Sequence, residues 1–217
     1  MCGILGSIPA TNEHDFAKSL HTLAHRGPDD FGIYIDEDIS LGHRRLSIVD
    51  LSHNASQPMH YQVPESVGGG RYSIVFNGEV YNFIELRKEL EKLGHRFRTH
   101  SDTEVVVASF SQWGEKCLNR FNGMWALGIW DHKRKRLFLA RDRFGKKPLF
   151  YAFVKNEYGV QFVFASEMKA IYPYLKELKP AKDFVGMVSI YNIFAYENGG
   201  GTYQWDRALS SLAFCIL

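Results

Sequence analysis

Four apolar runs between residues 124 and 165 constrain the fold most. They cover residues 124–130, 137–140, 149–153 and 160–165, and they follow one another at short spacing. Each is apolar at odd and even positions alike, so a strand made from any of them is buried on both faces, or nearly so. The segments between them are polar. Asp131-His132-Lys133-Arg134-Lys135 and Lys155-Asn156-Glu157 read as turns. The basic tract is a solvated hairpin turn, not a nucleic-acid patch. Many strands with short turns, and about three helices elsewhere, predict an α+β fold. The expected architecture is a four-layer αββα sandwich of two mainly antiparallel sheets covered by helices.

Upstream, residues 3–8 read as a strand. A helical pattern follows with Phe16, Leu20, Leu23 and Ala24 on one face, and it stops at His25-Arg26-Gly27-Pro28-Asp29, a strong turn signal. Residues 31–35 and 40–49 read as strands, and residues 51–71 as loop, with Gly68-Gly69-Gly70 as slack between strands. A strand over 72–76 is expected to end at Asn77-Gly78. A second helix begins at a capping pair, Asn82 and Glu85, shows an apolar face of Phe83, Leu86, Leu90 and Leu93, and ends at Gly94. A third has the capping pair Ser101 and Glu104 and runs through Val106, Phe110 and Trp113 to Gly114. After about residue 176 the pattern becomes poor, and Glu197-Asn198-Gly199-Gly200-Gly201-Thr202 reads as a flexible break. The expected division is a domain over 1–176 and an atypical tail or truncated linker over 177–217.

Composition removes several classes. Of 217 residues 45% are hydrophobic and 23% charged, and 26 Lys+Arg against 24 Asp+Glu leave +2. That is too apolar and too weakly charged for a disordered chain, and it gives no basic excess for nucleic acid. Three widely spaced cysteines, Cys2, Cys117 and Cys215, are neither a disulfide framework nor a metal-ligand set, so no metal is expected. No basic residue precedes the short apolar stretch at 2–9, and no apolar run approaches the ~18 residues of a membrane span. A cytoplasmic location is expected.

Cys2 is the first candidate for chemistry. Initiator Met is commonly removed before a small residue, which would leave Cys2 with a thiol and a free α-amine. The amine has a reference pKa of about 7.7–8.0, so it can act as base for its own nucleophile. His25 and His43 are not needed in such a mechanism and are read as structural. Cys117 reads as a packed thiol. Lys146-Lys147 lacks P-loop spacing and is assigned no nucleotide. Asn77-Gly78 reads either as a turn ending a strand or as an oxyanion hole. Arg44 and Arg45 are not distinguished by residue type alone.

Seven segments occur in a definite order. They are Met1-Cys2-Gly3-Ile4-Leu5-Gly6, His25-Arg26-Gly27-Pro28-Asp29, Arg45-Leu46-Ser47-Ile48-Val49-Asp50, Asn77-Gly78-Glu79-Val80-Tyr81-Asn82, Ser101-Asp102-Thr103-Glu104, Arg141-Asp142-Arg143-Phe144-Gly145-Lys146-Lys147-Pro148-Leu149 and Phe164-Ala165-Ser166-Glu167. Together they resemble the class II glutamine amidotransferases. The last two resemble the asparagine synthetase branch in particular.

The resemblance implies the N-terminal nucleophile hydrolase fold and hydrolysis of the L-glutamine side-chain amide. Cys2 would be the nucleophile, with Asn77 and Gly78 as oxyanion donors. Arg45 would bind the substrate carboxylate, a choice the family pattern makes over Arg44. Asp102 would bind the ammonium, with help from Glu79 and the backbone near Leu46, Ile48 and Val49. Arg26 would hold the turn near the nucleophile. This half-reaction implies no cofactor. ATP and Mg would belong to a synthetase domain with a Ser-Gly-Gly-x-Asp-Ser loop. This chain lacks that loop, and its Gly-Gly-Gly runs at 68–70 and 199–201 lack the following Asp-Ser. The expected partner is therefore a synthetase domain or subunit. The rival expectation is a non-catalytic interaction module or an inactive truncated fragment.

Overall fold

Ile4 and Leu5 are adjacent and fully buried, yet they belong to different cores on opposite sides of one strand. The layering follows from that division. The computed structural model describes residues 1–63, 71–156, 159–175 and 212–216. The strand in question, β1 (Gly3–Ile8), lies in a sheet with β2 (Asp30–Ile35), β3 (Ser40–Arg45), β8 (Phe150–Asn156) and β9 (Gly159–Ala165), in the order β2-β3-β1-β9-β8. A second sheet holds β4 (Met59–Tyr61), β5 (Tyr72–Val80), β6 (Gly123–Asp131), β7 (Arg136–Arg141) and β10 (Leu212–Ile216), in the order β10-β7-β6-β5-β4. Neighbouring strands are antiparallel, except that β10 runs parallel to β7.

Strand alternation makes three cores. Leu5, Val163 and Ala165 meet Phe16, Leu20 and Leu23 from α1 (Glu13–His21) and the turn after it. Ile4, Leu41, Phe162 and Phe164 meet Val75, Trp130, Leu137 and Leu139 between the sheets. Ile74, Phe76, Leu127, Ile129 and Phe138 meet Leu86, Leu90, Val105 and Val106 from α2 (Phe83–Lys92) and α3 (Asp102–Trp113). The order is helix, sheet, sheet, helix, the expected αββα sandwich. Each such side chain contributes about 1.5–3 kcal/mol of burial, so the doubly buried strands tie three layers together.

Several local expectations are corrected. β3 stops at Arg45, short of 49; the chain turns off the sheet, and the Ser47 N–H donates to Asp29 Oδ2 at 2.8 Å. β5 does not end at Asn77-Gly78. It continues to Val80, because Asn77 and Gly78 pair with Ala126 and Trp125 of β6 and the long ladder overrides the local turn preference. Asn82 does not cap α2 with its side chain; it bonds Arg120 O and the Asn122 N–H, each at 2.9 Å. Ser101 caps α3 through the Thr103 N–H at 3.0 Å. Glu104, the other half of the expected pair, accepts the N–H groups of Arg98 and Thr99 instead, at 3.0 and 2.8 Å. Those amides have no ladder partner and take the carboxylate. The segment expected as loop before residue 71 contains β4. The glycine run at 68–70, Glu157 and residues 177–211 of the tail lie outside the described residues. Of the tail, 212–216 add a strand to the second sheet.

Candidate active site

The same alternation that fills the inter-sheet core continues past its end into polar residues. Cys2 shares the side of Ile4, His43 and Arg45 that of Leu41, and Asn77 and Glu79 that of Val75. They converge on a pocket of about 330 Å³ at one end of the gap between the sheets. Asp102, at the start of α3, and Lys147, in the loop after β7, complete its wall. Gly78 lines it too, as do Leu46, Ile48 and Val49 from the loop that leaves β3. All ten residues named above as candidates, apart from Arg26, therefore border one pocket. Arg26 lies behind it.

Cys2 Sγ sits against the Leu46 backbone, 3.4 Å from the amide nitrogen and 3.6 Å from the carbonyl oxygen. Burial pushes the thiol up; the Leu46 hydrogen bond, the N-terminal amine and the charges of Lys147 and Arg45 oppose it. The Arg26 Nε–H donates to the Cys2 carbonyl oxygen at 2.9 Å, and its Nη1–H to Glu167 Oε1 at 2.9 Å. Partial burial would raise the Glu167 carboxyl, but hydrogen bonds from Arg26, His25 and Lys169 hold it down at about 2. Next to it, Ser166 exchanges hydrogen bonds with Ile4, accepting the Ile4 N–H at 3.0 Å and donating its own N–H to Ile4 O at 2.9 Å. The turn that carries Arg26 also presses on β3. A Cβ on Gly27 would stand 2.3 Å from the Arg44 carbonyl, so only glycine fits there.

Arg45 reaches into the pocket, while Arg44 points to the other face and stacks its guanidinium over Phe31 at 5.3 Å. Arg45 braces the loop beyond it, donating to Ser52 O at 3.0 Å, Ser56 Oγ at 3.3 Å and Asp50 O. Asn77 is 1% exposed, and its Nδ2 has no hydrogen-bond partner. A buried donor left unpaired costs about 1–3 kcal/mol, and here that cost falls on a residue that lines the pocket. At Gly78 a Cβ would stand 2.4 Å from Met124 O, so β5 can lie this close to β6 only without a side chain there. Asp102 accepts the Val80 N–H at 3.1 Å. Burial pushes its carboxyl up to about 6, with the Glu79 charge adding and the backbone N–H groups of Val80 and Thr103 opposing. His43 is buried, and burial pushes it down to about 3, so it stays neutral. Its ring approaches the Phe76 backbone without a well-formed hydrogen bond.

Lys147 was given no role by residue pattern, yet its side chain is in the pocket and 7% exposed. The local signal for it is the Arg-Asp pair six residues before. Asp142 accepts the N–H groups of Trp125, Phe144, Lys146 and Lys147 at 3.3, 3.1, 3.0 and 3.0 Å. Arg141 donates to Lys147 O at 2.7 Å and Gly145 O at 2.6 Å. Together they fold the loop so that its second lysine turns inward. Cys117 is buried in the core that α2 and α3 share with the second sheet, and it does not line the pocket. A larger groove, about 620 Å³, runs beside α1 past Thr11, Lys18 and Tyr174; it contains no thiol and none of the candidate residues. Among the described residues no group of three or more His, Cys, Asp or Glu is arranged to hold a metal. None of their helices is long and apolar enough to cross a membrane.

Comparison with known proteins bears on the family and the fold. Residues 1–203 match the glutamine amidotransferase domain family. The chain is 39% identical over 204 residues to asparagine synthetase (glutamine-hydrolyzing) 3 of Bacillus subtilis, covering 89% of this chain and 31% of that one. It is 41% identical over 186 residues to the putative asparagine synthetase (glutamine-hydrolyzing) 2 of Methanocaldococcus jannaschii, covering 79% and 35%. It thus spans about a third of the length of these relatives. Among solved structures, the glutamine phosphoribosylpyrophosphate amidotransferase of B. subtilis superposes with a TM-score of 0.66 at 22% identity, over 80% of this chain and 43% of that one, a likeness of fold. The two-sheet sandwich and the extent of the family match agree, and the chain belongs to the glutamine amidotransferase domain family.

Proposed function

We propose that this chain hydrolyses the side-chain amide of L-glutamine to glutamate and ammonia, as the ammonia-supplying half of a glutamine-hydrolysing asparagine synthetase system. The observation that carries the reading is the buried, unpartnered Asn77 Nδ2 in the same pocket as the Cys2 thiol. A nucleophile and a waiting donor together suit a carbonyl that becomes an oxyanion.

The chemistry follows from these groups. Met1 is exposed at the pocket, so its removal uncovers the Cys2 amine without opening the core. That amine takes the thiol proton, directly or through a water. Cys2 Sγ bonds to the carboxamide carbon, and the oxygen takes negative charge against Asn77 Nδ2–H and the Gly78 N–H. The C–N bond breaks as the amine passes the proton to departing ammonia, which leaves a thioester. Water then adds to the thioester carbon, the C–S bond breaks, and glutamate leaves as the thiol regains a proton. Arg45 takes the substrate α-carboxylate in a bidentate fork. Asp102, with Glu79 beside it, takes the α-ammonium. Arg26 and Glu167 act from behind by fixing the Cys2 backbone.

The hydrolysis itself calls for no cofactor. ATP and Mg belong to the proposed synthetase partner, whether a domain or a separate subunit, and a cytoplasmic setting suits that partnership. In this reading residues 1–176 are the glutaminase domain and 177–217 a tail or linker. The names of the relatives support asparagine as the product that receives the ammonia. A chloroketone analogue of glutamine tests the site directly. It is expected to add once, at Cys2, and excess glutamine is expected to protect. Labelling of Cys2 that glutamine does not slow would contradict the reading.

A further inference from the structure

Lys147 stands in the pocket with no role in the mechanism above. Lysines are almost never this buried unless paired. Here the ammonium makes no hydrogen bond and no ion pair among the described residues. Its backbone is held instead: the Lys147 N–H donates to Asp142, and Arg141 donates to the Lys147 carbonyl oxygen. Those two bonds fix the direction in which the side chain leaves the loop. Lys146, next to it and equally charged, is exposed. The loop therefore buries one cation at the Cys2 pocket and leaves the other in solvent.

The remaining charges of the pocket explain what a buried cation does there. Asp102 and Glu79 line the same pocket and are acidic. Arg45 is positive too, and it is assigned to the substrate carboxylate while bracing the loop through the carbonyls of Asp50 and Ser52 and the hydroxyl of Ser56. The thiol itself is buried, which also disfavours ionisation. Three cations bear on the sulfur, the N-terminal amine, Lys147 and Arg45, and of the two side chains Lys147 is the one with no partner of its own among the described residues. A buried thiol is helped to ionise by nearby cations, and Lys147 adds a fixed one to the α-amine, whose own charge changes as it takes and gives the proton.

We propose that Lys147 is a positioning residue whose unpaired ammonium serves as the electrostatic partner of the Cys2 thiolate. The inference deepens the proposed glutaminase reading and rests on Cys2 as its nucleophile. It assigns the lysine to the nucleophile and not to the substrate carboxylate, which Arg45 takes.

The test reads the thiol without turnover. Protein lacking Met1 is treated with iodoacetamide across pH 5.5–10, with no glutamine present, and alkylation of the Cys2 peptide is followed by mass spectrometry. Wild type is compared with Lys147→Met, Lys147→Gln, Lys147→Arg and the surface control Lys146→Met. Removing the charge is expected to move the alkylation midpoint to higher pH, which slows alkylation at pH 7 by about tenfold for each unit moved. Lys147→Arg and Lys146→Met are expected to keep the wild-type midpoint. Either neutral variant that keeps the wild-type melting transition decides the matter, so one that folds badly does not. An unchanged midpoint in that variant overturns the proposal, as does a shift of the same size in Lys146→Met. Ammonia release is measured separately. A shifted midpoint in protein that releases no ammonia would sink the glutaminase reading and leave the Lys147–Cys2 coupling standing.

Discussion

Arg26 donates to the Cys2 carbonyl oxygen at 2.9 Å, and Glu167 holds that same guanidinium at 2.9 Å. The residue proposed to attack glutamine is thus anchored from behind, through its backbone, by two side chains that do not border the pocket. A strand end is ordinarily free to fray. Here Arg26 and the Ser166–Ile4 bonds remove that freedom.

Glu167→Gln is expected to lower kcat by about 10- to 100-fold with little change in KM, because a nucleophile loosened by an ångström loses rate more than binding. The same variant has a stability signature. The folded Glu167 carboxyl lies at about 2, below its ordinary 4.5. Its contribution is fully present above pH 4.5 or so and is lost as pH falls toward 2, and it amounts to at most about 3 kcal/mol. Thermal melts of the two proteins are expected to differ at pH 6 and to converge near pH 2.

Asn77→Ala is expected to cost about 10²–10³ in kcat while KM changes little. Its stability is the sharper check. The side chain lost is an unpartnered buried donor, so removal of its unmet desolvation penalty offsets the small cavity left behind. Denaturant melts should show destabilisation below about 1 kcal/mol, against the 2 kcal/mol or more typical of an emptied core site.

Arg45→Ala is expected to raise KM strongly, and Arg45→Lys to rescue it poorly, since an ammonium cannot reproduce a bidentate fork. Both variants also lose the brace on the loop over 50–56. Faster proteolysis in that loop, read by mass spectrometry, accompanies the kinetic change.

Asp102 gives a pH dependence. Its carboxyl is raised from 3.8 to about 6 in the free protein. It must be ionised to hold the glutamine ammonium, so KM is expected to rise as pH falls through 6. Asp102→Asn should abolish that dependence at the cost of a high KM throughout. The linkage has the opposite sign for stability. A carboxyl raised on folding leaves the folded state weaker as pH climbs from 3.8 through 6, so ligand-free Asp102→Asn should be more stable than wild type at pH 7, by about 1–3 kcal/mol. Equal stability at pH 7 and at pH 4 would contradict it.

The layers were legible because alternation in a strand is a local pattern with a global consequence. Ile4 and Leu5, or Phe162 and Val163, can both be buried only if each face is covered. The course of β5 was not legible. Asn77-Gly78 is a strong turn signal, and only the ladder with Ala126 and Trp125 shows why it stays extended. Arg45 was separated from Arg44 by family resemblance, although the side of the strand would have done it once Leu41 was known to face inward. Asn82 could not be read as a bridge to Arg120 and Asn122, because those partners come from a distant loop. Lys147 escaped for a related reason. Its burial depends on how Arg141 and Asp142 bend a loop against a pocket built from the other end of the chain.

Everything proposed for the pocket depends on Cys2, freed of Met1, hydrolysing glutamine. The direct measurement is ammonia and glutamate release from L-glutamine by protein whose processed N-terminus has been verified by mass spectrometry, beside a Cys2→Ala control. The wild type is expected to yield one ammonia and one glutamate for each glutamine consumed, and the control none. No release from either protein, at saturating glutamine and neutral pH, would contradict it.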